Sequence, residues 1–119
     1  MASGNWSFDV STWEGGSLLL ARGELDLAAD PDLRAALRHA LAVSPCVLVE
    51  LSAVSFAGGR AITALLDTRE RAVALGGWLR LVGTPPGVRK LIRITGLEET
   101  LPEYVGIADT RVPAGRSLQ

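Results

Sequence analysis

The clearest pattern of apolar positions lies in residues 47–66, where two periodicities follow one another. Residues 47–51 read VLVEL, a run rich in β-branched and aliphatic side chains that is typical of a strand buried on both faces. After a loop that ends in Gly58 and Gly59, apolar residues recur at helical spacing. The pattern predicts a central strand, a loop and then a helix over about residues 59–75.

The N-terminal part of the chain predicts a β-hairpin. Residues 6–13 alternate between apolar and polar, as in a half-buried strand at a sheet edge, and residues 17–21 form a more continuously apolar strand. Between them, Glu14, Gly15 and Gly16 predict a tight turn, in which glycine can supply the positive φ that such turns need. We therefore expect the two strands to pair in an antiparallel arrangement.

A helix is predicted from Asp30 to about residue 42. Asp30 is a good N-cap acceptor, and Pro31 fits the first helical position. Apolar residues then follow at i, i+3, i+4, i+7 and i+8 from Leu33. The acidic residues Asp30 and Asp32 at its start suit the helix dipole.

Downstream of the second helix, the pattern predicts two further strands and a short helix. Residues 78–82 form the first of these strands, and residues 101–107 the last. Between them, Thr84 and Pro85 predict the start of a third helix, which ends before Gly96.

Together these elements predict an α/β fold. Two antiparallel strands followed by strand-helix units imply a mixed, mostly parallel sheet of four or five strands with helices packed on it. The 119 residues suffice for a single domain, here residues 1–119, with a core over about residues 6–107. Residues 108–119 contain Pro113, Gly115 and few apolar side chains, and we expect a short C-terminal tail.

Composition excludes several functional classes. Twelve Lys and Arg residues against 13 Asp and Glu residues give a net charge of -1, so no direct binding of nucleic acid is expected. No apolar run is long enough for a membrane span, and the N-terminus lacks the pattern of a signal peptide. We therefore expect a cytoplasmic protein without membrane insertion.

The candidate chemical groups do not assemble into an active site. His39, the single histidine, has no nucleophile or carboxylate that the sequence places beside it. Residues 83–87 resemble a phosphate loop but lack its Gly-Lys-Ser/Thr ending and contain two prolines. Arg89, Lys90 and Arg93 are best explained as a solvated helix face. We predict neither an enzyme nor a bound cofactor or metal.

Three segments carry a resemblance to a known family: GELDL at residues 23–27, the segment 47–66, and LRLVGTPPGVR at residues 79–89. Over about residues 18–101 the chain resembles the STAS domain of bacterial anti-sigma factor antagonists. The resemblance implies a STAS-like fold and a non-enzymatic regulator of transcription. Such a protein acts by partner switching, because it sequesters an anti-sigma factor or serine kinase-like protein and so frees a sigma factor.

The loop before the second helix departs from the family pattern. There the family typically has Asp-Ser-Ser/Thr-Gly, and its first serine is phosphorylated by the anti-sigma kinase. A gapless alignment puts the four residues of that motif on Gly58, Gly59, Arg60 and Ala61 in turn. Because Gly59 has no hydroxyl, we expect no phosphorylation there and no off-switch of the usual kind. The nearby Ser55 and Thr63 are not expected to present their hydroxyls as a loop serine does.

The predicted partner-binding face consists of Asp26, Ala57, Gly58, Gly59, Arg60 and Thr63. Arg60 puts a cation at a helix start, which is unfavourable by about 0.3 to 1 kcal/mol in an isolated helix. It therefore either turns into solvent or faces an acidic partner or an anion.

Two alternatives remain open at this point. One is an anion or nucleotide sensor at the helix start formed by Gly58, Gly59 and Arg60. The other is a non-catalytic STAS subunit of a transport or scaffold complex. Whether the protein is a monomer or a dimer is also open.

Overall fold

The computed structural model describes residues 2–3 and 5–104. The predicted tail, residues 108–119, and the end of the predicted last strand, residues 105–107, lie outside the described residues. Within the described part, no helix combines the length and the apolarity needed to cross a membrane.

The strands form a single mixed sheet in which spatial order follows chain order. They are β1 (Ala2–Ser3), β2 (Trp6–Trp13), β3 (Gly16–Leu25), β4 (Cys46–Ala57), β5 (Trp78–Val82) and β6 (Glu103–Tyr104). Strands β1 to β3 pair antiparallel, and β3 to β6 pair parallel. The predicted α/β fold is confirmed. The sheet of the described residues has six strands because the two-residue β1, which the pattern did not reveal, extends it.

Three helices connect the parallel strands: α1 (Asp30–Val43), α2 (Gly59–Ala74) and α3 (Pro86–Ile94). Strand β4 lies between β3 and β5, and its residues Val47, Leu48 and Val49 have no exposed surface. This confirms the prediction of a strand buried on both faces. Burial of each such side chain contributes about 1.5 to 3 kcal/mol.

The main core lies between the sheet and the helices. Leu33 and Leu37 of α1 and Ile62 and Leu65 of α2 are buried in one cluster with strand residues such as Val49. Helix α2 packs against both α1 and the sheet, and these contacts hold the start of α2 in place. That helix start is the region singled out by the sequence.

The predicted N-cap at Asp30 is wrong. A 3₁₀ turn, Leu27–Ala29, runs directly into α1, and the N-cap of α1 is Ala29, which makes no side-chain cap. The capping side chain is Asp26, whose Oδ1 accepts from the amides of Ala28 at 3.1 Å and Ala29 at 3.2 Å. Asp30 lies inside the helix and is only 7% exposed.

The start of α3 also differs from the prediction. Its N-cap is Pro85, without a side-chain cap, and Thr84 is buried beside the last described strand. The Thr84 hydroxyl donates to Glu103 of β6, and the Thr84 amide donates to the same carboxylate at 3.2 Å. The pairing of β6 with β5 therefore brings Glu103 to Thr84. This contact was not predicted from the sequence, because the two residues are far apart in the chain.

Candidate functional site

The carboxyl ends of β3 and β4 meet at the loop that precedes α2. Leu25 pairs with Ala57, and the amide of Gly58 donates to the carbonyl of Leu25 at 3.2 Å. Asp26, the next residue after β3, is therefore close in the fold to Gly58. This is the place where ligand and partner sites collect in open α/β sheets.

Helix α2 begins without a capping side chain. Gly58 is its N-cap, with an extended backbone at φ −89° and ψ −175°, and Gly59 is its first residue. The amides of Ala61 and Ile62 donate to the Gly58 carbonyl at 3.1 and 3.2 Å. As at any helix start, the first amides have no acceptor within the helix, and no side chain at Gly58 replaces one.

The backbone conformation at positions 58 and 59 does not require a glycine. Neither has a positive φ, and a Cβ on Gly59 would meet no heavy atom within 4 Å. A Cβ on Gly58 would come no closer than 3.4 Å to the ring of Phe56, which is ordinary contact. A serine at position 59 and an aspartate at position 58 would therefore fit this loop.

Arg60 forms an ion pair within the chain. Its Nη2 lies 3.1 Å from Asp30 Oδ2; the Arg60 side chain is 61% exposed, and that of Asp30 is 8% exposed. The sequence predicted that Arg60 would face solvent, a partner or an anion. In the structure its acidic neighbour is a residue of the preceding helix.

Asp30 is the centre of a larger ion network. It also accepts from Nε of Arg34 at 3.2 Å, and Nη1 of Arg34 donates to Asp67 at 3.0 Å. The hydrogen bond to Asp67 raises the pKa of the Arg34 guanidinium above its ordinary value. Two carboxylates and two guanidinium groups thus link the start of α1 to α2.

The structure brings most of the predicted partner-binding residues together. Gly59, Arg60 and Thr63 are exposed, and Asp26 and Gly58 are half-buried. The exception is Ala57, whose side chain is 8% exposed and packs into the core. Since Ala57 is the last residue of β4 and faces the helices, it can offer a partner little beyond its backbone.

Two hydroxyl groups lie near the loop. Ser55 and Thr63 are both exposed, so burial does not protect either of them. Ser55 lies within β4 rather than in a loop, and Thr63 Oγ1 donates to the Gly59 carbonyl at 3.0 Å. The expected lack of phosphorylation therefore rests on the strand, on this hydrogen bond and on Gly59, and not on burial.

Phe56 is a surface residue that the sequence analysis missed. It is 52% exposed, and its ring lies next to Gly58. Strand β4 continues to Ala57, past its last pair with β5 at Glu50, so no neighbouring strand of the described residues flanks this end on that side. No signal in the sequence indicated this exposure, because Ala57 and Val54 are buried while both residues between them are exposed, so the end of β4 does not follow a simple alternation.

Comparison with known proteins agrees with this geometry. The family model described as "Mlab, STAS domain" matches residues 10–104. An anti-sigma factor antagonist from Mycobacterium paratuberculosis has a similar structure, with a TM-score of 0.79 and 31% identity over 91% of this chain and 92% of that chain. The comparison with curated protein sequences found no significant match.

Two structures of SpoIIAA show the same fold at lower identity. The unphosphorylated anti-sigma factor antagonist has a TM-score of 0.71 and 20% identity over 83% of this chain and 89% of that chain. The phosphorylated form of the Bacillus protein has a TM-score of 0.65 and 20% identity over 83% of this chain and 92% of that chain.

The match to the family model extends over most of the chain, and the antagonist from M. paratuberculosis is similar in sequence along nearly its whole length. The chain belongs to the STAS domain family, among the anti-sigma factor antagonists.

Proposed function

We propose that this protein is an anti-sigma factor antagonist that binds an anti-sigma factor without control by phosphorylation at the usual position. Binding uses the surface at the start of α2, which we call the loop surface. It consists of Asp26, Phe56, Gly58, Gly59, Arg60 and Thr63. The observation that carries the proposal is an exposed, uncrowded helix start at the carboxyl ends of β3 and β4, in a chain 31% identical to an antagonist.

The loop surface combines an apolar group with a cation. Phe56 is 52% exposed, and aromatic side chains, Phe among them, are enriched together with Arg at protein–protein interfaces. Arg60 is 61% exposed although it is paired with Asp30. A partner that contacts this surface therefore meets both an apolar ring and a guanidinium, and an acidic or neutral side chain opposite Arg60 fits better than a basic one.

Loss of the phosphorylation switch is the second part of the proposal. A phosphate adds about -1.5 to -2 charges and can break an interface by repulsion and desolvation. Residue 59 offers no hydroxyl to receive it, although a serine would fit the backbone there. The expected consequence is constitutive binding, with control exerted through the amount of protein or at another position.

The ion network disfavours the alternative of an anion or nucleotide sensor. An anion at the start of α2 would approach Arg60, whose Nη2 already lies 3.1 Å from the buried carboxylate of Asp30. That carboxylate would repel a second anion at close range. The two functions separate in a phosphate or ATP titration, since a sensor requires saturable binding that Arg60→Ala abolishes.

The testing experiment titrates the protein into each anti-sigma factor of the source genome, expressed and purified singly. We expect one of them to bind saturably by calorimetry. Arg60→Glu is expected to weaken that binding, because it reverses a charge on the loop surface. The matched control is Arg93→Glu, which makes the same charge change on an exposed position of α3. The proposal fails if no anti-sigma factor binds, or if both variants weaken binding equally.

A further inference from the structure

A groove between α1 and α2 lies away from the loop surface. It has a volume of about 510 Å³, and we call it the helix groove. Its lining residues are Arg38, Leu41 and Ala42 from α1 and Arg71, Ala74 and Leu75 from the end of α2. Each helix thus contributes an arginine followed, at i+3 and i+4, by two apolar residues, which is the spacing of one helix face.

The floor of the helix groove is apolar and open to solvent. Leu75 is 63% exposed, and Ala42 and Ala74 are also exposed, whereas Leu41 is half-buried. Val43, which follows on α1, is a further exposed apolar side chain at 41%. The small alanines leave room for another backbone to approach closely.

Among the described residues, no carboxylate forms an ion pair with either arginine of the groove. Neither Arg38 nor Arg71 takes part in an ion pair between the residues that the structure describes, although Arg34, one turn from Arg38, is paired with Asp30 and Asp67. Arg71 lies in the last turn of α2, where a cation suits the helix dipole, but Arg38 lies before the last turn of α1. The helix dipole therefore does not explain why both of these positions carry an arginine.

We propose that the helix groove binds an acidic amphipathic helix of a partner protein. Apolar side chains of that helix would pack on Leu41, Ala74 and Leu75, and its carboxylates would pair with Arg38 and Arg71. Such docking is the general mode in which an amphipathic helix lies in an apolar groove. The charge of the groove selects an acidic helix over a basic one.

The helix groove is distinct from the loop surface. The loop surface lies at the start of α2 and the groove at its end, and their nearest members on α2, Thr63 and Arg71, are about 12 Å apart along the helix axis. One partner with two contact segments, or two partners, could therefore occupy both. The inference does not depend on the proposed loop function.

Other occupants fit the groove less well. A second copy of the chain would have to place an exposed apolar side chain in the groove. Its exposed Ile94 lies on α3 among basic residues, and Arg38 and Arg71 would repel these: Arg89, Lys90 and Arg93. Residues 105–119 of this chain carry one acidic and two basic residues, so they too lack the required charge. An acyl chain prefers an enclosed cavity, and this floor is exposed.

The test uses two synthetic helical peptides with leucine at i, i+3, i+4 and i+7. In one the remaining positions are mostly glutamate, and in the other mostly lysine. By fluorescence anisotropy we expect the intact protein to bind the glutamate peptide saturably and the lysine peptide not at all. Arg38→Glu combined with Arg71→Glu should weaken binding by about tenfold or more. Leu75→Ser should also weaken it without disturbing folding, because Leu75 is 63% exposed.

A matched control distinguishes the groove from general charge attraction. Lys90→Glu combined with Arg93→Glu makes the same charge change on exposed positions of α3 and should leave binding unchanged. Equal weakening by this control, or the absence of saturable binding, overturns the proposal. So does a dimer that Ala74→Arg dissociates in sedimentation, which would assign the groove to a second copy. Binding of phosphatidylglycerol vesicles that competes with the peptide would assign it to lipid and overturn it equally.

Discussion

Nη2 of Arg60 lies 3.1 Å from Oδ2 of Asp30, so a cation at the start of α2 is paired with a carboxylate buried in the first turn of α1. An unpaired cation there would oppose the helix dipole by about 0.3 to 1 kcal/mol. The carboxylate offsets this cost and also accepts from Arg34. The charge of the loop surface and the packing of α1 against α2 are therefore linked through one side chain.

The first prediction concerns the two ends of this ion pair. Asp30→Asn should lower the free energy of unfolding by about 1 to 3 kcal/mol, because it weakens charged hydrogen bonds of a buried group to two guanidinium groups. Arg60→Ala should lower it by less than about 1 kcal/mol, because Arg60 is 61% exposed and Asp30 keeps Arg34 as a partner. Urea unfolding measures both values, with Arg93→Ala as an exposed control. Equal losses for the two variants would contradict the central position of Asp30.

The second prediction concerns Phe56. Phe56→Ser should change the free energy of unfolding little, because the side chain is 52% exposed, but it should weaken binding of the anti-sigma factor by about tenfold or more. Calorimetry and urea unfolding measure the two effects. The matched control, Ile94→Ser on α3, removes a side chain that is 69% exposed and should leave binding unchanged. A Phe56 variant that binds normally would remove this residue from the loop surface.

The loop also allows a test by restoration. The triple variant Gly58→Asp, Gly59→Ser, Arg60→Ser should fold normally, because a Cβ on Gly59 meets nothing within 4 Å and neither glycine has a positive φ. Serine at position 59 should stabilise the fold by about 0.4 to 1 kcal/mol by restricting the unfolded chain. We expect the variant to accept phosphate from the kinase that binds the native protein, as measured by intact mass.

Its control is the same variant with Gly59→Ala in place of Gly59→Ser, which preserves the backbone change but has no acceptor hydroxyl. A folded triple variant that binds the kinase and takes up no phosphate would argue against a disabled switch at this loop.

The fourth prediction follows from the single tyrosine. The Arg80 guanidinium lies 4.5 Å from the ring centre of Trp78 and 4.9 Å from that of Tyr104, and burial raises the pKa of the Tyr104 phenol above its ordinary value of 10.0. The protonated phenol is favoured in the folded state, so its stabilising effect is complete below pH 10 and is lost as the pH rises through the folded pKa. Tyrosinate absorbance should therefore show a midpoint above 10 in the folded protein and a return to about 10 in urea. A folded midpoint at or below 10 would contradict this environment.

Local signals predicted much of the fold. The helix expected over residues 59–75 is observed as Gly59–Ala74, and the strand over residues 78–82 as Trp78–Val82. Gly76 and Gly96, which follow α2 and α3, have positive φ, a conformation that glycine adopts readily at a helix end. These features depend on neighbours in sequence, so their patterns are visible without the fold.

Features that depend on distant residues were not predictable in the same way. The residues around Asp30 match the pattern of an N-cap, but a 3₁₀ turn that the apolar pattern does not indicate precedes it and places it inside the helix. Its side chain instead pairs with Arg60, thirty residues away. Ala57 was expected on the partner face, yet the helices cover its side of the sheet. The position of the candidate site followed from topology, whereas the direction of each side chain required the packed structure.

The central claim is that this protein binds an anti-sigma factor and that no phosphate at the loop interrupts the binding. The most direct measurement is the affinity of the native protein for its anti-sigma kinase, before and after incubation with ATP and removal of the nucleotide, with the intact mass recorded in both states. We expect the same Kd in both states and no added phosphate. A mass increase of one phosphate on Ser55 or Thr63 together with weakened binding would contradict it.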